Sequence, residues 1–209
     1  AMKAQQTFTL ADVVGNWQWW VFGEDPMLIA ISETGETTIE GEEGTVTVRV
    51  EKIGYLIETI TFCNKKNSAA PPKTYYLVMK RDDAYDASIQ TDIANIDIEL
   101  RTSLEETEAW KLISMIVTSY FDVIEVTDKE TGYLRTSWVI QTFKQNTIRT
   151  RLIVKLGNTD PLTYKIKLVS EESRKPGTSV KSDELYREWD RVLRKYGTIF
   201  DELQSRLNS

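Results

Sequence analysis

Residues 121–154, FDVIEVTDKETGYLRTSWVIQTFKQNTIRTRLIV, decide the fold. Two turn signals cut the stretch into three strands. Asp128-Lys-Glu-Thr-Gly132 is polar and ends in glycine, which suits a hairpin loop needing positive φ. Lys144-Gln-Asn146 makes the second turn. Side chains alternate along a strand, so Leu134, Thr136, Trp138 and Ile140 are predicted on one face. Tyr133, Arg135, Ser137, Val139 and Gln141 then take the other. In the next strand Ile148, Thr150, Leu152, Val154 and Leu156 alternate with Thr147, Arg149, Arg151 and Lys155. A fourth follows Asn158-Thr-Asp-Pro161, setting Leu162, Tyr164, Ile166 and Leu168 against Thr163, Lys165 and Lys167. The reading is an antiparallel sheet with one apolar buried face and one wet cationic face.

The apolar face needs a cover, and the flanking sequence offers two helices. Before the sheet, Ile93–Leu100 alternates as a strand, and Ser103-x-x-Glu106 has the form of a capping box. A helix over Leu104–Tyr120 places Ala109, Leu112, Ile113, Ile116, Val117 and Tyr120 on one stripe, with Trp110 beside it. After the sheet, SEESRKPGTSVK (170–181) reads as a loop and Ser182 as the cap of a long last helix. Leu185, Trp189, Val192, Leu193, Tyr196, Ile199, Phe200, Leu203 and Leu207 follow helical spacing in it. The shared register predicts Trp138, Leu152 and Ile166 beneath that helix, near Trp189 and Phe200, and a solvated Arg149.

Residues 7–92 read as β-rich, with predicted strands at Trp17–Phe22, Met27–Ser32, Thr37–Glu40, Thr45–Lys52, Tyr55–Asn64 and Thr74–Lys80. Gly- and acid-rich turns separate them, and KKNSAAPPK (65–73) is a Pro-rich loop. The short spacing suggests an up-and-down meander or small half-barrel. Arg81-Asp82-Asp83-Ala-Tyr-Asp86 reads as a solvated acidic loop, without the Asp spacing of a calcium loop. The expected fold class is therefore α+β in two domains. Residues 1–92 form a β-rich antiparallel unit. Residues 93–209 form a helix-grip domain, an antiparallel sheet with two helices on one face.

Composition excludes several chemistries. The 209 residues contain no histidine and one cysteine, Cys63. Ser-His-Asp and Cys-His catalysis, the usual zinc ligand sets and an intrachain disulfide are out of reach. Asp122, Glu125 and Asp128 supply no paired acid and base, since Asp122 and Glu125 point to opposite sides of a strand. No cofactor, metal or catalytic residue is nominated, and the chain is read as a non-enzyme. No apolar run reaches the roughly 18 residues of a membrane span. The net charge of −6 is uneven: residues 1–100 hold 8 Lys and Arg against 16 Asp and Glu. That split speaks against nucleic-acid binding.

Gly15-Asn-Trp17 resembles the Gly-x-Trp opening of lipocalin-like barrels, over three residues. A broader likeness lies in the second half. Ala109-Trp110 through Tyr120-Phe121-Asp-Val-Ile, then TDKETGYLRTSW (127–138), then Ile148-Arg-Thr-Arg-Leu152, resembles the helix-grip domains of BamC-like envelope proteins. The family contains accessory lipoproteins of outer-membrane β-barrel assembly. It pairs two such domains behind a lipidated cysteine, whereas this chain has one and no N-terminal cysteine. The resemblance implies the fold and an envelope setting. Lys3-Ala4-Gln5-Gln6 fits the remnant of a signal-peptidase cut behind Ala4, which points the same way, to an exported, periplasmic or envelope-associated protein; a cytoplasmic one is the alternative.

The expected function is protein docking. Arg135, Arg149, Arg151, Lys155, Lys165 and Lys167 are predicted to form one exposed patch that meets an acidic surface. That surface is either another protein or the chain's own N-terminal half. The alternative is a carrier of a small apolar ligand, held between sheet and helix or inside the β-rich half.

Overall fold

The computed structural model describes residues 4–9, 16–21, 25–30, 36–42, 45–63, 74–75 and 78–208. The turns expected at 23–26, 33–36 and 41–44 lie partly outside the described residues, and the 65–73 loop and the Gly15 motif position wholly so. The fold is α+β, and the chain divides into two compact units, Ala1–Asp82 and Asp83–Ser209.

In the first unit β1 (Ala4–Thr9), β4 (Glu36–Glu42), β5 (Thr45–Glu51) and β6 (Glu58–Cys63) make one antiparallel sheet in that order. The hairpin of β2 (Asn16–Val21) and β3 (Asp25–Ala30) belongs to a second sheet, where β7 (Thr74–Tyr75) joins β3 in parallel. A single meander was expected. Of the expected consecutive pairs β2–β3, β4–β5 and β5–β6 form, but β1 bypasses the β2–β3 hairpin to pair with β4, and β7 pairs with β3 rather than β6.

The second unit begins ten residues before the boundary expected at 92/93. The acidic run expected as a loop forms a one-turn helix, α1 (Asp83–Asp86), with Ala84 fully buried. Behind it β8 (Ser88–Gln90) pairs with β16 (Arg191–Leu193). Arg191 lies 3.8 Å over the Tyr85 ring and donates to Ser88 Oγ, while Arg194 donates to the Asp86 carbonyl. Two arginines from the C-terminal segment thus hold the end of α1, as cations do at a helix C-terminus.

The main sheet is built on β13 (Thr147–Thr159) and β14 (Leu162–Ser173), an antiparallel pair. On one side of β13 lie β11 (Tyr133–Thr136) and β12 (Val139–Thr142), and beyond β11 lies β10 (Ile124–Asp128). On the far side of β14 lie β9 (Asp97–Arg101) and the short β15 (Arg187–Glu188). Asn95 fills the gap between those two. It takes a left-handed φ of 62°, which asparagine tolerates. Its amide exchanges hydrogen bonds with the Ser170 backbone and donates to the Trp189 carbonyl.

Helix α2 (Glu106–Tyr120) buries Ala109, Trp110, Ile113, Ile116 and Val117, the predicted stripe. The capping box does not form. Glu105 is the N-cap without a side-chain bond, and Thr102 Oγ1 instead accepts from Leu104 N and donates to the Leu207 carbonyl. The long C-terminal helix is corrected too. Only α3 (Ile199–Leu207) is helical, and Ser182 makes no cap bond. Between them the chain forms a 3-10 turn at Asp183–Leu185, β15, β16 and a second 3-10 turn at Arg194–Tyr196. The apolar positions are nevertheless buried, all except Leu185. Pairing with β14 and β8 captured a segment whose spacing also suits a helix, as tertiary contacts do to weak local preference. One core joins α2, α3 and the inner sheet face through Leu134, Leu152, Val154, Ile166 and Leu168.

Gly132 closes the expected hairpin at φ 62°, and a Cβ there would lie 2.5 Å from Leu156 Cβ. Gly177 has φ 70° with nothing near. Gly177→Ala is expected to lose about 1 kcal/mol, the left-handed penalty alone. Gly132→Ala adds overpacking and should lose about 3 kcal/mol in chemical denaturation. Tyr196, stacked on Phe121 at 4.8 Å, has its phenol pushed up to about 12 by burial, aided by the Asp122 charge. The unfolded phenol ionises near 10.0. The contribution is therefore intact below that pH and lost as pH climbs through 12, where the unfolded chain binds fewer protons. Tyr196→Phe should flatten the fall of Tm between those two values.

Candidate interaction face on the main sheet

Cross-strand register sets the outer face of the sheet in rows. One row runs Asp128, Tyr133, Lys155, Lys165, Glu99. The next runs Val126, Arg135, Ile153, Lys167, Asp97. Then come Arg151 and Val169, and finally Ile140, Arg149, Glu171 and Glu188. All six predicted cations are on this face. They do not form an open patch, because the carboxylates stand among them. Lys165 pairs with Glu99 at 3.1 Å, Lys167 with Asp97 at 3.9 Å, and Arg135 with Glu125 at 3.1 Å. Glu125 is the extra residue where β10 bulges between Ile124 and Val126. The sequence held a sign of the β9 pairs, since Asp97-Ile-Glu99 and Lys165-Ile-Lys167 are complementary alternations.

Arg149, expected to be solvated, is 4% exposed. Its Nε donates to Glu171 at 2.6 Å, and its Nη1 donates to Asp183 Oδ1 at 2.6 Å and to the Val180 carbonyl at 2.7 Å. Its guanidinium lies 4.0 Å from the Tyr186 ring centre and 4.3 Å from that of Trp138. The segment 174–186 is what covers it. That segment is fixed by Thr147 Oγ1, which donates to the Lys175 carbonyl, and by Tyr186, whose hydroxyl donates to the Thr178 carbonyl. Burial raises the Tyr186 phenol above its usual range, partly offset by the Arg149 charge.

Trp138 is a second correction. It was expected inward, yet it is half-buried on the outer side, with Arg149 and Arg151 over its ring. Arg135 pairs with Ile153, but Val139 pairs with Thr150, so three residues of this strand face two of β13. The extra residue moves Val139 to the inner face and Ile140 to the outer one, where it is 38% exposed. Thr136 Oγ1 repairs the ladder by accepting from Leu152 N.

Arg151 differs from its neighbours. Its guanidinium sits 4.1 Å from the Trp138 ring centre, and its buried Nε–H has no acceptor among the described residues. Burial and then the nearby Arg135 charge hold it below the usual arginine range, with Glu171 and Glu125 pulling the other way. Its row offers Val169 where the adjacent rows offer Lys167 with Asp97, or Glu171. Lys155 is exposed and has no carboxylate within ion-pair distance among the described residues. Among those residues no group of three His, Cys, Asp or Glu side chains is placed to hold a metal ion.

A scan against protein-family models finds no family matching the chain, and a search of curated proteins finds no similar sequence.

Arg149→Ala should therefore destabilise the protein by about 3 kcal/mol in urea, by stranding Glu171 and removing both ring contacts. Lys165→Gln, at an exposed ion pair, should stay within about 0.5 kcal/mol.

Proposed function

We propose that the second unit is a non-catalytic docking module whose outer sheet face receives an acidic segment of another protein. The observation that carries the reading is the uneven neutralisation of that face. Arg135, Arg149, Lys165 and Lys167 have carboxylates, whereas Arg151 and Lys155 stand without one among the described residues. Exposed Ile140 and Val126 lie on the same face, and apolar area near an unanswered cation suits a protein partner. The helix-grip grouping and the exported, envelope-associated setting implied by the BamC-like resemblance belong to this proposal. An external partner is preferred to the chain's own N-terminal half. Cut at Asp82, each unit has a net charge of −3, from 8 basic and 11 acidic residues in one and 18 and 21 in the other. The carrier reading has less behind it, since fully buried side chains such as Ile113, Leu152, Ile166 and Leu203 line the sheet–helix contact.

The test is capture from an envelope extract at low salt, with the wild-type chain beside an Arg151→Glu, Lys155→Glu variant. A partner held by the wild type, released by salt and missed by the variant is the expected result. A partner held equally by both proteins overturns the assignment of the face.

A further inference from the structure

We infer that Arg151, seated on Trp138, is the specificity-determining residue of this face, and that it takes one carboxylate of an extended segment whose flanking side chains are apolar. The inference rests on the docking function proposed above and names its chemistry.

Three observations meet at Arg151. The bulge at 136–138 brings Trp138 under the guanidinium, an aromatic support that leaves the planar edge to bind in bidentate fashion. No described residue accepts from the guanidinium, and because its Nε–H is closed off from solvent a carboxylate meets it at the terminal amino edge, answering an otherwise unanswered charge. The rows on either side place apolar residues next to Arg151, half-buried Ile153 on β13 itself and Ile140 on β12, 38% exposed. Strand rows on one face repeat about every 6.8 Å, the spacing of alternate residues in an extended peptide. A segment reading apolar-x-acidic-x-apolar fits Ile153, Arg151 and Ile140 in turn. A polyphosphate chain fits poorly, because on this face Glu125, Glu171, Asp97 and Glu99 are spread among the cations around Arg151.

The experiment follows arginine Nε–H and tryptophan indole N–H resonances of the full chain. The probes are a synthetic Leu-Ser-Glu-Ser-Leu peptide, its counterpart with serine in place of both leucines, and inorganic phosphate. The leucine peptide should shift the Arg151 and Trp138 signals and leave Arg149, held by Glu171, in place. The serine peptide should bind several-fold more weakly. Arg151→Met should weaken the leucine peptide at least tenfold, and Arg151→Lys should restore only part, for want of the planar fork. Thermal melts of both variants report their folding, and the wild-type shifts need no variant. Equal binding by wild type and Arg151→Met overturns this inference while leaving docking through the rest of the face. Phosphate moving the same signals as strongly overturns the carboxylate assignment. No shift with any probe, together with a partner captured in the extract experiment, overturns the anchor alone; no shift and no capture overturns both.

Discussion

Side chains in a strand alternate with a period of two, so an extra residue on one strand transfers everything after it to the opposite face. The main sheet depends on such a slip between Thr136 and Val139. Before it, Leu134 and Thr136 point into the core; after it, Val139 and Gln141 take the inward register and Ile140 and Thr142 the outward one. Trp138 falls at the slip and is delivered to the outer side, where it becomes the floor under two arginines. Without that residue the same sequence would put Trp138 in a core already filled by Leu152, Ile166 and Leu168.

Burying Arg149 uses the displaced Trp138 together with the 174–186 segment. A guanidinium removed from water costs several kcal/mol unless its donors and charge are answered. Here Glu171 comes from the cross-strand position, Asp183 and the Val180 carbonyl from the covering segment, and two rings from Trp138 and Tyr186. Asp183 is 79% exposed, so its share is screened, and Glu171 is the partner that matters. The result is a sheet covered on both faces at the Thr147–Thr150 end and on one face elsewhere. Only the uncovered part is available to a partner.

Strand order, the Asp128–Gly132 hairpin and the α2 stripe were legible because short-range patterns fix them: alternation, a glycine at positive φ, a 3.6-residue period. The slip was not legible, since one inserted residue leaves no mark in a strand of mixed Ser, Thr and Trp. Nor was the end of the chain. Leu185 to Leu207 has the apolar spacing of a helix, and only pairing partners far away in sequence, on β14 and β8, decide that half of it is extended. All six cations were assigned to the correct face, but the carboxylates that answer four of them lie 10 to 70 positions away in sequence, and only the strand register selects them.

The charge balance shows how a boundary changes an inference about partners. Divided at residue 100, the chain looks like an acidic half beside a basic one; divided at Asp82, where the contacts divide it, the halves carry equal charge. Five acidic residues between the two cuts account for the difference, and two of them, Asp97 and Glu99, are the carboxylates that answer Lys167 and Lys165. Long-range attraction between the units is thereby weakened, and the acidity that would have served it is spent within one sheet. What remains for a partner is local: one arginine on an aromatic floor, one exposed lysine and two apolar edges. Such a surface selects by fit at one anchor rather than by net field, so its affinity should be modest and its discrimination should reside in the lifetime of the complex.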